Sequence, residues 1–248
     1  LAIIFFDRLR HLDRQTIFAG SLMGIPLLLG NVFQTIGLQQ TTVTNSAFIT
    51  GLDVLLIPLF KWGLFGKSVP ARLWVACALA FSGLYLIVAQ NGLALNVGDL
   101  WTMVCAVFFA CYVLSVGYYA NKVDSMVTVV IALSVCSLGC LAAACFDTRA
   151  DWTSGDPGFW RGVLFASIFA TAYMYAVQSA AQRYLEEEKV ALTYLCEPIF
   201  AGLAGAILLN EEFGLRTLVG AGLIITALVL AETKLTIVLQ KSQTRYRS

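Results

Sequence analysis

The chain has 248 residues, of which 59% are hydrophobic and only 12% charged, with a net charge of +1 and a mean hydropathy of +0.79. A soluble domain carries roughly twice that share of charge. The near-neutral balance leaves no basic stripe for nucleic acid, and apolar runs of about 20 residues, the length a helix needs to cross a bilayer, replace amphipathic patterning.

Leu1–Phe6 reads as the end of a helix whose beginning lies upstream. Eight complete spans follow, at about 17–38, 43–65, 70–89, 98–119, 126–146, 160–182, 189–210 and 214–233. Short breaks with turn or cap residues separate them, among them Gly66–Pro70, Asp147–Gly158 and Asn210–Gly214. Small-residue pairs, Gly20 with Gly24 and Ala201 with Gly205, allow close helix contact. The expected fold is therefore an all-α membrane protein.

Alternate connections differ sharply in basic charge. One side collects 13 of the 16 Lys and Arg residues and the other only Arg149, Arg161 and Arg216. That bias places the Asp7–Gln15 loop and the C-terminal tail in the cytoplasm. The charge runs Glu186–Lys189 and Lys241–Arg247 read as a solvated cytoplasmic turn and a membrane-surface segment. All seven cysteines fall in or beside apolar runs, as small packing residues with no disulfide framework.

A shift of 144 residues superimposes 17–89 on 161–233 without gaps. Gln34 falls on Gln178 and Arg72 on Arg216, while Asp53 falls on Glu197, acid on acid. Under the charge rule Arg72 and Arg216 lie on opposite sides, so the repeats are inverted. The second repeat carries two further spans before its matching three. By symmetry the first should too, which implies about 45 residues upstream of Leu1 and ten spans in all. The expected divisions are 1–90 for the first repeat, short of one to two helices, 91–234 for the second, and 235–248 for a basic tail.

Several stretches carry a family likeness: Gly37-Leu38-Gln39 running into Thr44–Leu52, Gly98-Asp99-Leu100 opening a helix, Glu197–Ala201, Leu208–Glu211 and Gly220–Ile224. With these in this order the sequence resembles the drug/metabolite transporter superfamily, in particular its EamA-type members with two five-helix repeats. The likeness covers essentially the whole chain. It departs where the family has Gly-Glu after the ninth span and this chain has Asn210-Glu211, with Gly66-Lys67 at the equivalent corner of the first repeat. The resemblance implies a secondary transporter of small metabolites such as amino acids, exporting them from the bacterial inner (plasma) membrane.

An acid near the bilayer midplane is costly unless neutral, paired or in a wet cavity, so Asp53 and Glu197 read as functional, as substrate contacts or proton-coupling groups. The competing reading of Glu197 is support for the backbone break at Pro198. Ser46, Thr50 and Asp53 share a helix face by spacing, as do Asn31 with Gln34 and Tyr175 with Gln178. Trp101, Phe108 and Tyr112 form an aromatic stripe, a feature more often packing than pocket. Inverted-repeat transporters bind at the midplane. The expected substrate pocket is thus Asn31, Gln34, Thr50, Asp53, Tyr175, Gln178 and Glu197, with Trp101 and Tyr112 beside it. No metal ligands and no cofactor are expected. The partners are a small-molecule substrate and membrane lipid, with no nucleic acid, and a homodimer is admitted.

Two other classes compete. Glu211-Glu212-Phe213-Gly214-Leu215-Arg216 matches the Glu-Glu-x-x-x-Arg pattern of CAAX-type intramembrane proteases, but those need intramembrane histidines. His11, the sole histidine, falls in a loop. A non-transporting receptor or assembly protein on the same scaffold is the third class.

Overall fold

A computed structural model describes residues 6–10, 12–41, 43–88, 96–146, 155–196, 200 and 214–245. Every regular element among them is helical. In chain order these are α1 (Phe6–Leu9), α2 (Arg14–Leu38), α3 (Val43–Thr50), α4 (Asp53–Gly63), α5 (Ala71–Val88), α6 (Val97–Tyr119) and α7 (Ser125–Phe146). Then come α8 (Pro157–Phe165), a π-helical stretch (Ala166–Tyr173), α9 (Met174–Ala181), α10 (Glu187–Tyr194) and α11 (Leu215–Arg245).

Among the described residues, Arg14–Leu38, Val97–Tyr119, Ser125–Phe146 and Pro157–Ala181 are long and apolar enough to cross a membrane. Ala71–Leu86 and Leu218–Ala231 are shorter apolar helices. The expected spans at 17–38, 70–89, 98–119 and 126–146 reappear within a few residues, because in lipid the backbone must satisfy its hydrogen bonds inside each helix. Most of the span at 189–210 lies outside the described residues. Three depart. The span at 43–65 is two helices, interrupted by a turn at Gly51–Leu52. The span at 160–182 is continuous but passes through eight π-helical residues. At the start of this stretch the Ser167 hydroxyl donates to the Val163 carbonyl at 2.7 Å, competing with the helical N–H for that acceptor. The last helix runs on to Arg245, into the expected tail.

The chain divides into two compact units whose boundaries fall within α2 and α6. The first comprises residues 1–32 and 111–186. Here α2 lies close on α7: a Cβ on Gly20 would come 2.6 Å from Ile131 Cβ, and one on Gly24 2.7 Å from Val135 Cβ. The expected small-residue contact is therefore real, while Ala201 and Gly205 lie outside the described residues. Helix ends are capped by carboxylates. Asp13 accepts from Thr16 N at 2.8 Å, Asp124 from Met126 N at 3.0 Å, and Asp156 from Gly158 N at 2.9 Å. Hydrogen bonds from the Thr16 side chain and N–H hold the exposed Asp13 carboxyl below its ordinary value. The outer half of α8 and the π stretch presents Phe165, Phe169 and Tyr173 more than half exposed, a surface suited to lipid.

The second unit comprises 33–110 and 187–248. Its core is α5 against α11, where Ala76, Ala80, Ile224 and Ala227 are fully buried. A Cβ on Gly83 would stand 2.5 Å from the Gly220 carbonyl oxygen, so the two backbones touch there. At the start of α6, Asn96 and Asp99 form a reciprocal capping box: Asn96 N donates to Asp99 Oδ2 at 2.7 Å, and Asp99 N to Asn96 Oδ1 at 3.0 Å. The other Asp99 oxygen accepts a short hydrogen bond from the Thr41 hydroxyl just beyond α2. This accounts physically for Gly98-Asp99: the acid caps α6, and a Cβ on Gly98 would meet the Gln40 carbonyl carbon at 2.6 Å.

Candidate functional site

Of the expected pocket residues, Asn31, Tyr112, Tyr175 and Gln178 belong to the first unit, and Gln34, Thr50, Asp53 and Trp101 to the second. Glu197 lies outside the described residues, as do Glu211, Glu212 and Phe213 of the protease-like pattern.

In the first unit the tyrosines meet. Tyr112, 3% exposed, stands edge-on to Tyr175 with ring centroids 5.6 Å apart and planes at 87°. Gln178 is buried and donates from Nε2 to Gln182 Oε1 at 3.2 Å, and Gln182 in turn donates to the Val113 carbonyl at 3.0 Å. Ser179 donates to the Ser125 carbonyl at 3.3 Å beside them. These bonds tie α9 to α6 and α7. Gln182 was not among the expected residues, although it lies one turn from Gln178 on the same face. Asn31 turns back on its own helix, donating to the Leu27 carbonyl at 2.8 Å, and reaches Cys136 Sγ at 3.8 Å.

In the second unit Phe33 stacks on two of the three aromatics of the expected α6 stripe. Its ring is nearly parallel to Trp101 (5.4 Å, 6°) and to Phe108 (5.6 Å, 11°). The half-buried Gln34 follows it on α2. Thr50 and Asp53 flank the interruption: Thr50 ends α3 and Asp53 opens α4. At the turn the Leu52 N–H bonds to the Ile49 carbonyl at 3.0 Å, a tighter pattern than the α-helix uses. The Thr50 hydroxyl is buried with no hydrogen-bond partner. A carboxyl group, an unused hydroxyl and an interrupted backbone in apolar surroundings can bind an ammonium, exchange a proton, or do both in turn.

One expectation is overturned. Glu186–Lys189 is not a solvated turn: Glu187–Lys189 open α10, with Glu188 1% and Lys189 6% exposed. Glu187 and Glu188 each accept from Lys61 Nζ at 2.9 Å. Lys61, like Asp53, falls inside the apolar run at 43–65. Among the described residues no group of three or more His, Cys, Asp or Glu is placed to hold a metal ion.

The sequence matches the EamA-like transporter family over residues 1–89 and 96–233. The chain belongs to that family. It is 27% identical to a protein of Archaeoglobus fulgidus described as an uncharacterized transporter, over 87% of this chain and 68% of the relative. It is also 27% identical to the uncharacterized transporter YvbV of Bacillus subtilis strain 168, over 86% of this chain and 70% of that one. A solved crystal structure superposes with a TM-score of 0.75 at 16% identity, covering 93% of this chain and 82% of the other. At that identity the likeness concerns the fold alone. Membership makes the chain part of a multi-pass membrane transporter, as the resemblance implied, and an EamA-like transporter takes a small-molecule substrate. The intramembrane protease reading gains no support from it.

Proposed function

We propose that the chain is the body of a secondary transporter that exports small metabolites, amino acids and similar compounds, by alternating access. The observation that carries this reading is the interrupted α3–α4 segment with Thr50 and Asp53 on its two sides. Discontinuous helices supply transporters with their substrate and ion sites, because half-helix ends and unwound backbone offer polar groups at membrane depth. Asp53 is the natural partner of a substrate ammonium or of a coupling proton, and Glu197 is its counterpart under the 144-residue shift. Gln34 and Trp101, in the same unit as Asp53, are further proposed substrate contacts, and Asn31, Tyr112, Tyr175 and Gln178 are proposed contacts within the first unit.

The same shift supports the inverted repeat. It carries Ala76 onto Gly220 and Gly83 onto Ala227, and these four small, buried residues lie on α5 and α11, the helices packed together. A pair of equivalent helices facing each other through equivalent small positions is what a pseudo-two-fold axis between them would produce. On this reading the protein sits in the plasma membrane with its C-terminus in the cytoplasm, and the intact repeats have five helices each.

Flux assays in proteoliposomes, screening amino acids and related metabolites with and without a pH gradient, test the proposal. Asp53→Asn should reduce gradient-driven flux about tenfold or more while exchange of bound substrate survives better. Unchanged flux and unchanged pH dependence in Asp53→Asn and Glu197→Gln together would rule out both carboxylates as coupling groups.

A further inference from the structure

Lys61 stands in the last turn of α4, where an ammonium among apolar residues is unfavourable without partners. Two carboxylates from the first turn of α10 meet it, each at 2.9 Å, and the Lys61, Glu187 and Glu188 side chains retain only 15%, 16% and 1% exposure. Stability alone is a weak reason for such a trio, since well-packed apolar residues of the same volume serve as well or better. An ion pair has a different advantage at a joint that opens: once separated, both charges are hydrated and most of the desolvation cost returns. Open and closed arrangements then differ little in free energy.

The surroundings fit a joint of that kind. Lys61, Ile57 and Val54 follow one another at spacings of four and three on one face of α4, and Ile57 and Val54 are fully buried. Glu188 and Leu192 repeat the four-residue spacing on α10, with Leu192 fully buried, and Leu195, 4% exposed, follows in the turn just after the helix. α4 and α10 pack on each other. Charges thus cover an apolar layer, and about 12 Å further along α4 stands Asp53 at the helix interruption.

We propose that Lys61, Glu187 and Glu188 form an ionic latch that holds α4 against α10 and closes the approach to Thr50 and Asp53 from the end bearing the basic loops. The latch rests on the alternating-access reading given above. In that scheme it is shut when the site faces the opposite side and parts when the site opens toward the basic loops.

The test uses the full chain in vesicles, with Cys77 retained, the remaining native cysteines replaced by alanine, and Ile57→Cys added as a reporter for a membrane-impermeant maleimide. With the latch intact the reporter should label slowly. Lys61→Met should speed its labelling about tenfold, as expected if a minor open state becomes common, while Cys77 stays protected and the melting temperature holds within a few degrees. The charge-swapped variant Lys61→Glu with Glu187→Lys and Glu188→Lys should restore slow labelling. Equal labelling in every variant overturns the latch. So does a joint rise at Ile57→Cys and Cys77, which would mark a staple for the fold instead. Flux in the same vesicles separates the two proposals: latch-dependent labelling with no flux from any preparation supports the latch and sinks the transport reading, and flux with latch-independent labelling sinks the latch alone.

Discussion

The thiol of Cys77 on α5 donates to the backbone carbonyl of Val54 on α4 at 3.5 Å. Pro58 is the reason that the carbonyl is available. It lies four residues on, where an ordinary residue would supply the helical N–H, and it has none to give. Both partners are fully buried, so water cannot take over the role.

Cys77→Ala should therefore lower thermal stability in detergent by about 1–2 kcal/mol, the cost of a buried acceptor left without a donor. Cys77→Ser keeps a donor and should lose less. In a Pro58→Ala background the helical N–H returns, and the penalty of Cys77→Ala should shrink to a few tenths of a kcal/mol. A full penalty in that background would mean that the thiol acts by packing alone.

The α5–α11 contact makes a sharper demand on residue size. Gly83→Val places a side chain where a Cβ alone would stand 2.5 Å from a carbonyl oxygen, so the helices must part. A loss of about 2–3 kcal/mol, or failure to purify as a monodisperse species, is expected. Gly222→Ala on α11 has nothing within 4 Å and should be neutral within about 0.5 kcal/mol.

The capping box at the start of α6 is open to dissection. Asp99→Ala removes the acceptor of both Asn96 N and the Thr41 hydroxyl and should cost about 1–2 kcal/mol. Thr41→Val removes one of these bonds and should cost less. Additive penalties in the double variant would show that the two bonds do not act as a unit.

At the start of α2 the sign of a pH effect can be worked out. The Asp13 carboxyl titrates below its ordinary value in the folded protein, so its contribution is complete above that value and is lost as pH falls through the lowered one. Hydrogen exchange at Thr16 and Ile17, corrected for intrinsic rates, should show the first turn of α2 fraying as pH drops below about 4. Asp13→Asn retains an acceptor and should abolish the pH dependence. Identical profiles in both proteins would assign the fraying to other carboxylates.

Depth in an apolar run is a signal that the sequence carries by itself. Asp53 stands out because an acid there needs a reason, and the structure places it beside the helix interruption. The pair at Glu187 and Glu188 gave the opposite impression. A run of three glutamates and a lysine next to a loop looks solvated, and only the approach of Lys61, more than 120 residues earlier, makes Glu188 a buried group. Gln178 stands out in the sequence through its match with Gln34, and only the fold shows that its amide donates to Gln182. The turn at Gly51–Leu52 left little trace in composition, since every residue around it is compatible with an uninterrupted helix.

The amino-acid sequence by itself determined the class of this protein, its helical content, most helix ends and its family. Those properties follow from a local requirement: in lipid each segment must satisfy its own backbone, so length, hydropathy and caps are written into consecutive residues. Tertiary structure alone decided which carbonyl Cys77 satisfies, which backbones meet at Gly83, and which carboxylates receive Lys61. Each of those depends on partners distant in the chain, and the physics that selects them, close packing and the pairing of buried polar groups, acts only once the helices have come together.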